Sequence, residues 1–166
     1  MFKTKKFYDD RGFFSETYNK NELSKHGINV DFVQDNVSYS VHAGTVRGLH
    51  LQAPPFEQGK LIRCNKGSIF DVAIDIRKGS PNFGKWEAYV MSEENGYQLY
   101  IPPGYGHGFM SLENNTEVIY KCSNFYTPKS EGSIFWDDTD IGIEWLRKFN
   151  ITISEKDAKA CSFKKI

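Results

Sequence analysis

The chain has 166 residues, within the roughly 100–200 of one ordinary domain, so a single domain spanning residues 1–166 around its own core is expected. Its 21 basic residues balance 21 acidic ones, a formal net charge of zero that excludes the broad basic face selected by nucleic acid or an anionic membrane. Any phosphate bound here must be met by local groups.

Two short helices and at least eight strands are expected. Asn21 to His26 reads as a helical turn or two before Gly27, and Ser154 to Ala160 as a second helix, with Ser154 followed three residues later by Asp157 as in a capping box. The expected strands are Asp31 to Gln34, Thr45 to Gln52, Lys60 to Asn65, Ser68 to Arg77, Trp86 to Met91, Tyr97 to Ile101, His107 to Leu112 and Glu117 to Phe125. Turn formers separate several of them: AsnLysGly at 65 to 67, GlySerProAsnPheGly at 79 to 84, GluAsnGly at 94 to 96 and ProProGly at 102 to 104. Eight or more strands in one domain imply a sandwich or a barrel. In the clearest strand, Phe70, Val72, Ile74 and Ile76 alternate with Asp71, Ala73, Asp75 and Arg77, and solvent alone does not explain the charged face.

Cys64, Cys122 and Cys161 are an odd number without a CxxC pair, and the opening residues lack the apolar run of a secretion signal. No stretch approaches the roughly 18 continuous apolar residues of a membrane span. Reduced thiols in a cytoplasmic protein are therefore expected.

Several residue types could carry chemistry. In Gly44 to Gln52, strict alternation puts Val46, Gly48, His50 and Gln52 on one face and Arg47, Leu49 and Leu51 on the other, with His50 facing inward beside a glycine. Taken alone, His50 could equally satisfy a buried hydrogen bond. Lys60 and Arg63 flank an apolar strand, where charge is costly to bury unpaired, although an edge position would also accommodate Lys60. Tyr120 shares a strand face with Val118 and Cys122 and points inward, as a plain core tyrosine also would. Asp157 could simply favour the first turn of its helix.

The segment IleProProGlyTyrGlyHisGlyPhe, 101 to 109, resembles the second motif of the cupins, a superfamily of double-sheet barrels. Metal-binding cupins carry an earlier HxH followed by Glu; here the counterparts are His50, Gln52 and Glu57, one imidazole short, so no metal is assigned.

AspAspArgGlyPhePheSerGlu at 9 to 16, PheValGlnAspAsn at 32 to 36, ArgGlyLeuHis at 47 to 50 and GlyLysLeuIleArgCys at 59 to 64 together resemble the dTDP-4-dehydrorhamnose 3,5-epimerase family. So do PheAspValAlaIleAspIleArg at 70 to 77, SerProAsnPheGlyLysTrp at 80 to 86, TrpAspAspThrAspIleGlyIleGluTrp at 136 to 145 and SerGluLysAsp at 154 to 157. The resemblance implies an all-β fold, a cupin-like double-stranded β-helix (jelly roll) with a few short peripheral helices, assembled as a homodimer. It also implies a cofactor-free reaction that inverts carbons beside the ketone of a nucleotide-linked sugar.

By that resemblance His50 is the base, Asp157 orients its imidazole, Lys60 stabilises the enolate oxygen and Tyr120 returns a proton from the opposite face. Arg11, Glu16, Gln34, Asp35, Asn36, Arg47, His107, Glu131 and Lys156 are implied to contact sugar, diphosphate or base, with Tyr126 and Phe14 stacking on thymine or lining the sugar pocket. Four departures stand out: only eight residues precede Asp9, which is expected to affect the dimer; Leu51 stands where an aromatic residue is common and Phe125 where tyrosine is common, which is expected to affect the carbon inverted or the sugar accepted; and nine residues follow Asp157, a short terminal helix in which the His50–Asp157 pair is expected to survive. The readings left open are a single-position epimerase, a metal-dependent cupin enzyme using His50, Glu57 and His107, and a non-catalytic sugar-nucleotide module.

Overall fold

The computed structural model describes all residues 1–166 and contains two five-stranded antiparallel sheets. One sheet orders its strands β1 (Phe2–Lys3), β9 (Tyr97–Ile101), β6 (Lys60–Lys66), β11 (Thr116–Cys122) and β4 (Gln34–Ser40). The other orders β12 (Glu131–Ser133), β5 (Val46–Gln52), β10 (Tyr105–Ser111), β7 (Ser68–Asp75) and β8 (Trp86–Ser92). A small hairpin of β2 (Phe7–Asp9) and β3 (Gly12–Phe14) stands apart. Helices α1 (Lys20–Lys25) and α2 (Glu155–Ala158) are peripheral, and neither is long and apolar enough to cross a membrane. The all-β jelly roll expected from the sequence is the architecture that forms.

Two apolar layers hold it together. Between the sheets, Ile62, Cys64, Ile69, Met91, Leu99, Ile101, Phe109 and Val118 form one core. The second core lies on the outer face of the β12-β5-β10-β7-β8 sheet, where Val46, Leu49, Val72, Ile74 and Met110 are covered by Ile134, Trp136, Ile141, Ile143 and Trp145. Trp145 is pinned by its indole N–H, which donates to the Trp136 carbonyl at 2.8 Å. Removing such side chains from water at about 25 cal/mol per Å² makes the C-terminal cover part of the fold.

This second layer explains the charged face of β7. Phe70, Val72 and Ile74 point outward under the C-terminal cover, while Asp71 and Asp75 lie on the other side, both essentially without solvent contact. The polar face of that strand is thus an interior one, and its carboxylates need partners.

Some expected boundaries shift. The strand read at Asp31 to Gln34 begins only at Gln34 and runs on to Ser40, and the one read from Glu117 to Phe125 ends at Cys122. Segment 35 to 40 escaped notice because its residues are mostly polar, as suits a sheet edge with one open face. Lys60 is not at an edge: β6 is paired on both sides, by β9 and β11.

The strict alternation read for Gly44 to Gln52 does not hold either. His107 pairs with His50 but Phe109 with Arg47, so β5 carries one residue more than β10 across this stretch, a bulge at Gly48 and Leu49. It puts Arg47 and His50 on the same side, facing the cleft, and turns Leu49 into the outer core. Gly48 is required there: its φ is +129°, and a Cβ would come within 2.5 Å of Gly108 Cα.

A cleft built around a histidine and an aspartate

A cleft of about 440 Å³ opens between the sheets, lined by Arg47, His50, Lys60, His107, Phe109, Tyr120, Lys156 and Asp157 together with Ser38, Thr45, Val46, Thr152, Ile153 and Ser154. Strands β5, β6, β10 and β11 supply its floor, and the C-terminal segment supplies one wall.

At its centre, His50 Nε2 lies 2.7 Å from Asp157 Oδ1. The carboxylate is buried while the imidazole side chain keeps 36% of its exposure, so the ring faces the cleft with its partner behind it. Asp157 Oδ2 also accepts the Gly48 N–H at 3.3 Å, and Ser154 Oγ caps α2 by accepting from the Asp157 N–H at 3.1 Å. The cap is therefore the serine, and the Asp157 side chain is free to serve the histidine. Burial pushes the Asp157 carboxyl up, but the bonds from His50 and Gly48 outweigh it and hold it below its ordinary value. An ionised Asp157 accepts a hydrogen bond from the Nε2–H and leaves Nδ1 as the lone-pair nitrogen, which is the arrangement of a general base.

Directly opposite His50 in the ladder, His107 Nε2 lies 2.8 Å from Asp71 Oδ2, and both side chains are buried. Burial lowers the His107 pKa despite Asp71, and nearby Lys60 lowers it further. Oδ1 of Asp71 is buried without a hydrogen-bond partner. Burial also lowers the Lys60 pKa, and Asp71 and Glu131 act electrostatically against that shift. Tyr120, half-buried on β11, has its phenol pKa raised by burial, keeping it protonated.

Cations dominate the rim. Arg47 is braced by Ser40 Oγ at 3.2 Å and the Tyr39 carbonyl at 2.7 Å, and Lys156 donates to Glu131 Oε1 at 2.6 Å. A chain with zero net charge thus concentrates Arg47, Lys60 and Lys156 on one cleft, matching what a diphosphate needs.

Of the residues singled out from sequence, His50, Lys60, Tyr120, Asp157, Arg47, His107 and Lys156 come together in this cleft. Tyr126 and Glu131 join its rim through Lys156, because Tyr126 OH donates to Glu131 Oε2 at 2.8 Å. Gln34 and Asn36 hold the neighbouring backbone and Cys122: Gln34 accepts the Tyr126 N–H, and Asn36 Nδ2 donates to Cys122 Sγ. Asp35 faces away in an exposed pair with Lys121. Arg11 lies at the tip of the β2-β3 hairpin, paired with Asp9; neither it, nor Phe14 on β3, nor Glu16 just beyond it lines the cleft.

Leu51 packs on the outer core rather than in the cleft, so it does not line the place where a sugar would sit. No three His, Cys, Asp or Glu side chains converge as a metal-ion cluster, and Glu57 lies outside the cleft. Sequence reasoning missed Asp71 as the partner of His107; the signal was the unexplained charged face of its strand. It also missed Ser38, Thr45 and Ile153, whose side-chain types do not by themselves point to chemistry.

Comparison with known proteins gives one family. The family model described as dTDP-4-dehydrorhamnose 3,5-epimerase matches residues 1–165. The enzyme of that name from Salmonella typhimurium is 50% identical over 157 residues, covering 94% of this chain and 85% of the relative. The crystal structure of a dTDP-6-deoxy-D-glucose-3,5-epimerase from Legionella pneumophila, in complex with dTDP-4-keto-L-rhamnose, is similar with a TM-score of 0.94 at 42% identity, covering 99% of this chain and 87% of that one. A 3′-monoepimerase from Streptomyces bikiniensis in complex with dTDP-quinovose is similar with a TM-score of 0.90 at 32% identity, covering 97% and 81%. With its pattern matched along essentially the whole length and its fold shared by these solved structures, the chain belongs to the dTDP-4-dehydrorhamnose 3,5-epimerase family.

Proposed function

We propose that this chain is a single-domain 3,5-epimerase that converts dTDP-4-dehydro-6-deoxy-D-glucose to dTDP-4-dehydro-L-rhamnose through an enolate, without cofactor or metal. The observation that carries the reading is the His50–Asp157 contact of 2.7 Å in a cleft that also holds Lys60 and Tyr120. A proton alpha to a ketone is acidic only if the negative charge reaching the oxygen is stabilised as it develops. His50 Nδ1 removes that proton, Asp157 stabilises the imidazolium that results, and the Lys60 ammonium meets the C4 oxygen. Tyr120, kept protonated by burial, returns a proton on the opposite face and becomes a phenolate; His50 then gives its proton to water and Tyr120 regains one from water, and repetition at the second alpha carbon gives the double inversion.

Arg47 and Lys156 take the diphosphate, His107 the sugar, and Tyr126 with Glu131 the nucleoside end, which Gln34 and Asn36 flank from β4, while Asp35, paired outward with Lys121, serves only through the strand between them. Arg11, Glu16 and Phe14 do not line the cleft of their own chain, which supports a homodimer in which the β2-β3 hairpin serves the second copy. Phe7, Tyr8, Phe13 and Phe14 on that hairpin, and Val37 and Tyr39 on the edge strand β4, are exposed apolar groups that such an assembly covers. A cytoplasmic location fits three free cysteines.

The test is to incubate the protein with dTDP-4-dehydro-6-deoxyglucose in deuterated water and follow the C3 and C5 hydrogens by proton NMR, trapping product with a rhamnose-forming reductase. Loss of both signals with trapped dTDP-L-rhamnose is expected. Loss of one signal means a single-position relative, and exchange abolished by a chelator means a metal-dependent enzyme.

A further inference from the structure

The loop after β11 carries Phe125 and Tyr126, residues that are 63% and 49% exposed. Apolar burial therefore does little to hold it, and polar contacts must. Two glutamines from different sheets capture consecutive backbone amides: Gln34 Oε1 accepts the Tyr126 N–H at 2.9 Å, and Gln52 Oε1 accepts the Thr127 N–H at 2.7 Å. Gln52 Nε2 also donates to the carbonyls of Phe56, at 2.6 Å, and Phe125, at 3.2 Å.

One buried side chain at the end of β5 thus satisfies three backbone groups in two loops. Such groups, once shielded from water, cost free energy if left unpaired, so removing Gln52 drives both loops toward solvent. Gln52 sits two residues beyond His50 and opposite Glu131 in the ladder to β12. Because Tyr126 OH bonds Glu131, which in turn holds Lys156, the place of all three depends on where Gln52 fixes the loop.

We propose that Gln52 is a positioning residue for nucleotide recognition: it locks the 125–127 loop so that Tyr126 and Glu131 are already in place for the nucleoside, and so sets substrate affinity without entering the proton transfers. This rests on the reading of Tyr126 as a nucleoside contact. Preorganisation of this kind lowers the ordering cost that binding would otherwise carry.

Binding of dTDP by calorimetry, together with kcat and KM for the nucleotide sugar and thermal unfolding, is compared for wild type, Gln52→Met, Tyr126→Ala and the double variant. Gln52→Met is expected to weaken dTDP about tenfold and raise KM alike, with kcat at saturation within about twofold of wild type. The double variant should lose clearly less than the sum of the two single losses, because Gln52 acts largely through Tyr126. If Tyr126→Ala weakens dTDP but Gln52→Met only lowers the unfolding temperature, the glutamine is a fold strut and the inference fails while the nucleoside reading stands. If Tyr126→Ala leaves dTDP binding unchanged, that reading fails and takes this one with it. Should Gln52→Met not fold, Gln52→Glu, which keeps an acceptor for Thr127 but loses the donor to both carbonyls, decides by the same criteria.

Discussion

Two histidine–aspartate pairs sit side by side on paired strands, and they differ in almost everything except their chemistry. His50–Asp157 and His107–Asp71 have nearly the same separation, 2.7 and 2.8 Å, and their histidines are opposite one another in the β5-β10 ladder. Asp71 comes from the neighbouring strand of the same sheet, whereas Asp157 comes from a helix 107 residues away from its histidine. The decisive contrast is solvation. The His50 side chain is 36% exposed and faces the open cleft, while that of His107 is 6% exposed and its partner's 0%. A buried ring of that kind resists a change of charge, so it serves as a fixed, neutral hydrogen-bonding group.

The comparison is broken most sharply by removing the base. His50→Ala is expected to lower turnover by roughly 10³-fold or more while leaving dTDP binding largely intact, since a positioned base contributes about 10²–10⁴-fold. Parallel loss of rate and of dTDP affinity, measured by steady-state kinetics and calorimetry, would contradict the assignment.

Stability separates the two carboxylates in the other direction. Asp71→Ala strands a buried imidazole inside the sheets, whereas Asp157→Ala leaves a ring that water can reach. The first is therefore expected to cost about 2 kcal/mol more in urea unfolding than the second. Equal losses would mean that Asp71 is solvated in a way its burial does not suggest.

The smallest effect is on pH. His107 is pushed below its ordinary value by burial, so below about pH 6.5 the unfolded chain binds a proton that the native state refuses. Its share of stability is complete above that pH and falls as the pH drops, with a slope of at most about 1.4 kcal/mol per unit. Replacing it by glutamine should flatten the unfolding free energy between pH 7 and 5; an unchanged slope would assign the dependence to other groups.

How much of this was legible in the sequence varies with the physics involved. The strands of the central ladder are readable because one face is apolar, and His50, Lys60, Tyr120 and Asp157 are found through the family pattern they share. The face His50 occupies was reached by the wrong route, since a one-residue bulge at Gly48 and Leu49 inverts the alternation that a two-residue period assumes. Asp71 and Gln52 stayed without roles because each acts on groups far along the chain: a histidine 36 residues on, and the Phe125 carbonyl and Thr127 amide, 73 and 75 residues on, in a loop whose approach depends on tertiary structure. The outer layer over β7 is equally non-local, and without it the apolar face of that strand was indistinguishable from the inside of the barrel.

The C-terminal cover has a consequence for the making of the protein. At about 5–20 residues per second of translation, His50 leaves the ribosome roughly 5–20 s before Asp157, 107 residues later. Until residues 134 to 145 have packed on the sheet its outer face has no lid, and until α2 docks beside β5 His50 has no carboxylate behind it. Chains broken off before residue 134, by premature termination or by a protease, therefore lack both, whereas chains broken off between 146 and 156 keep the lid and carry the base without its partner.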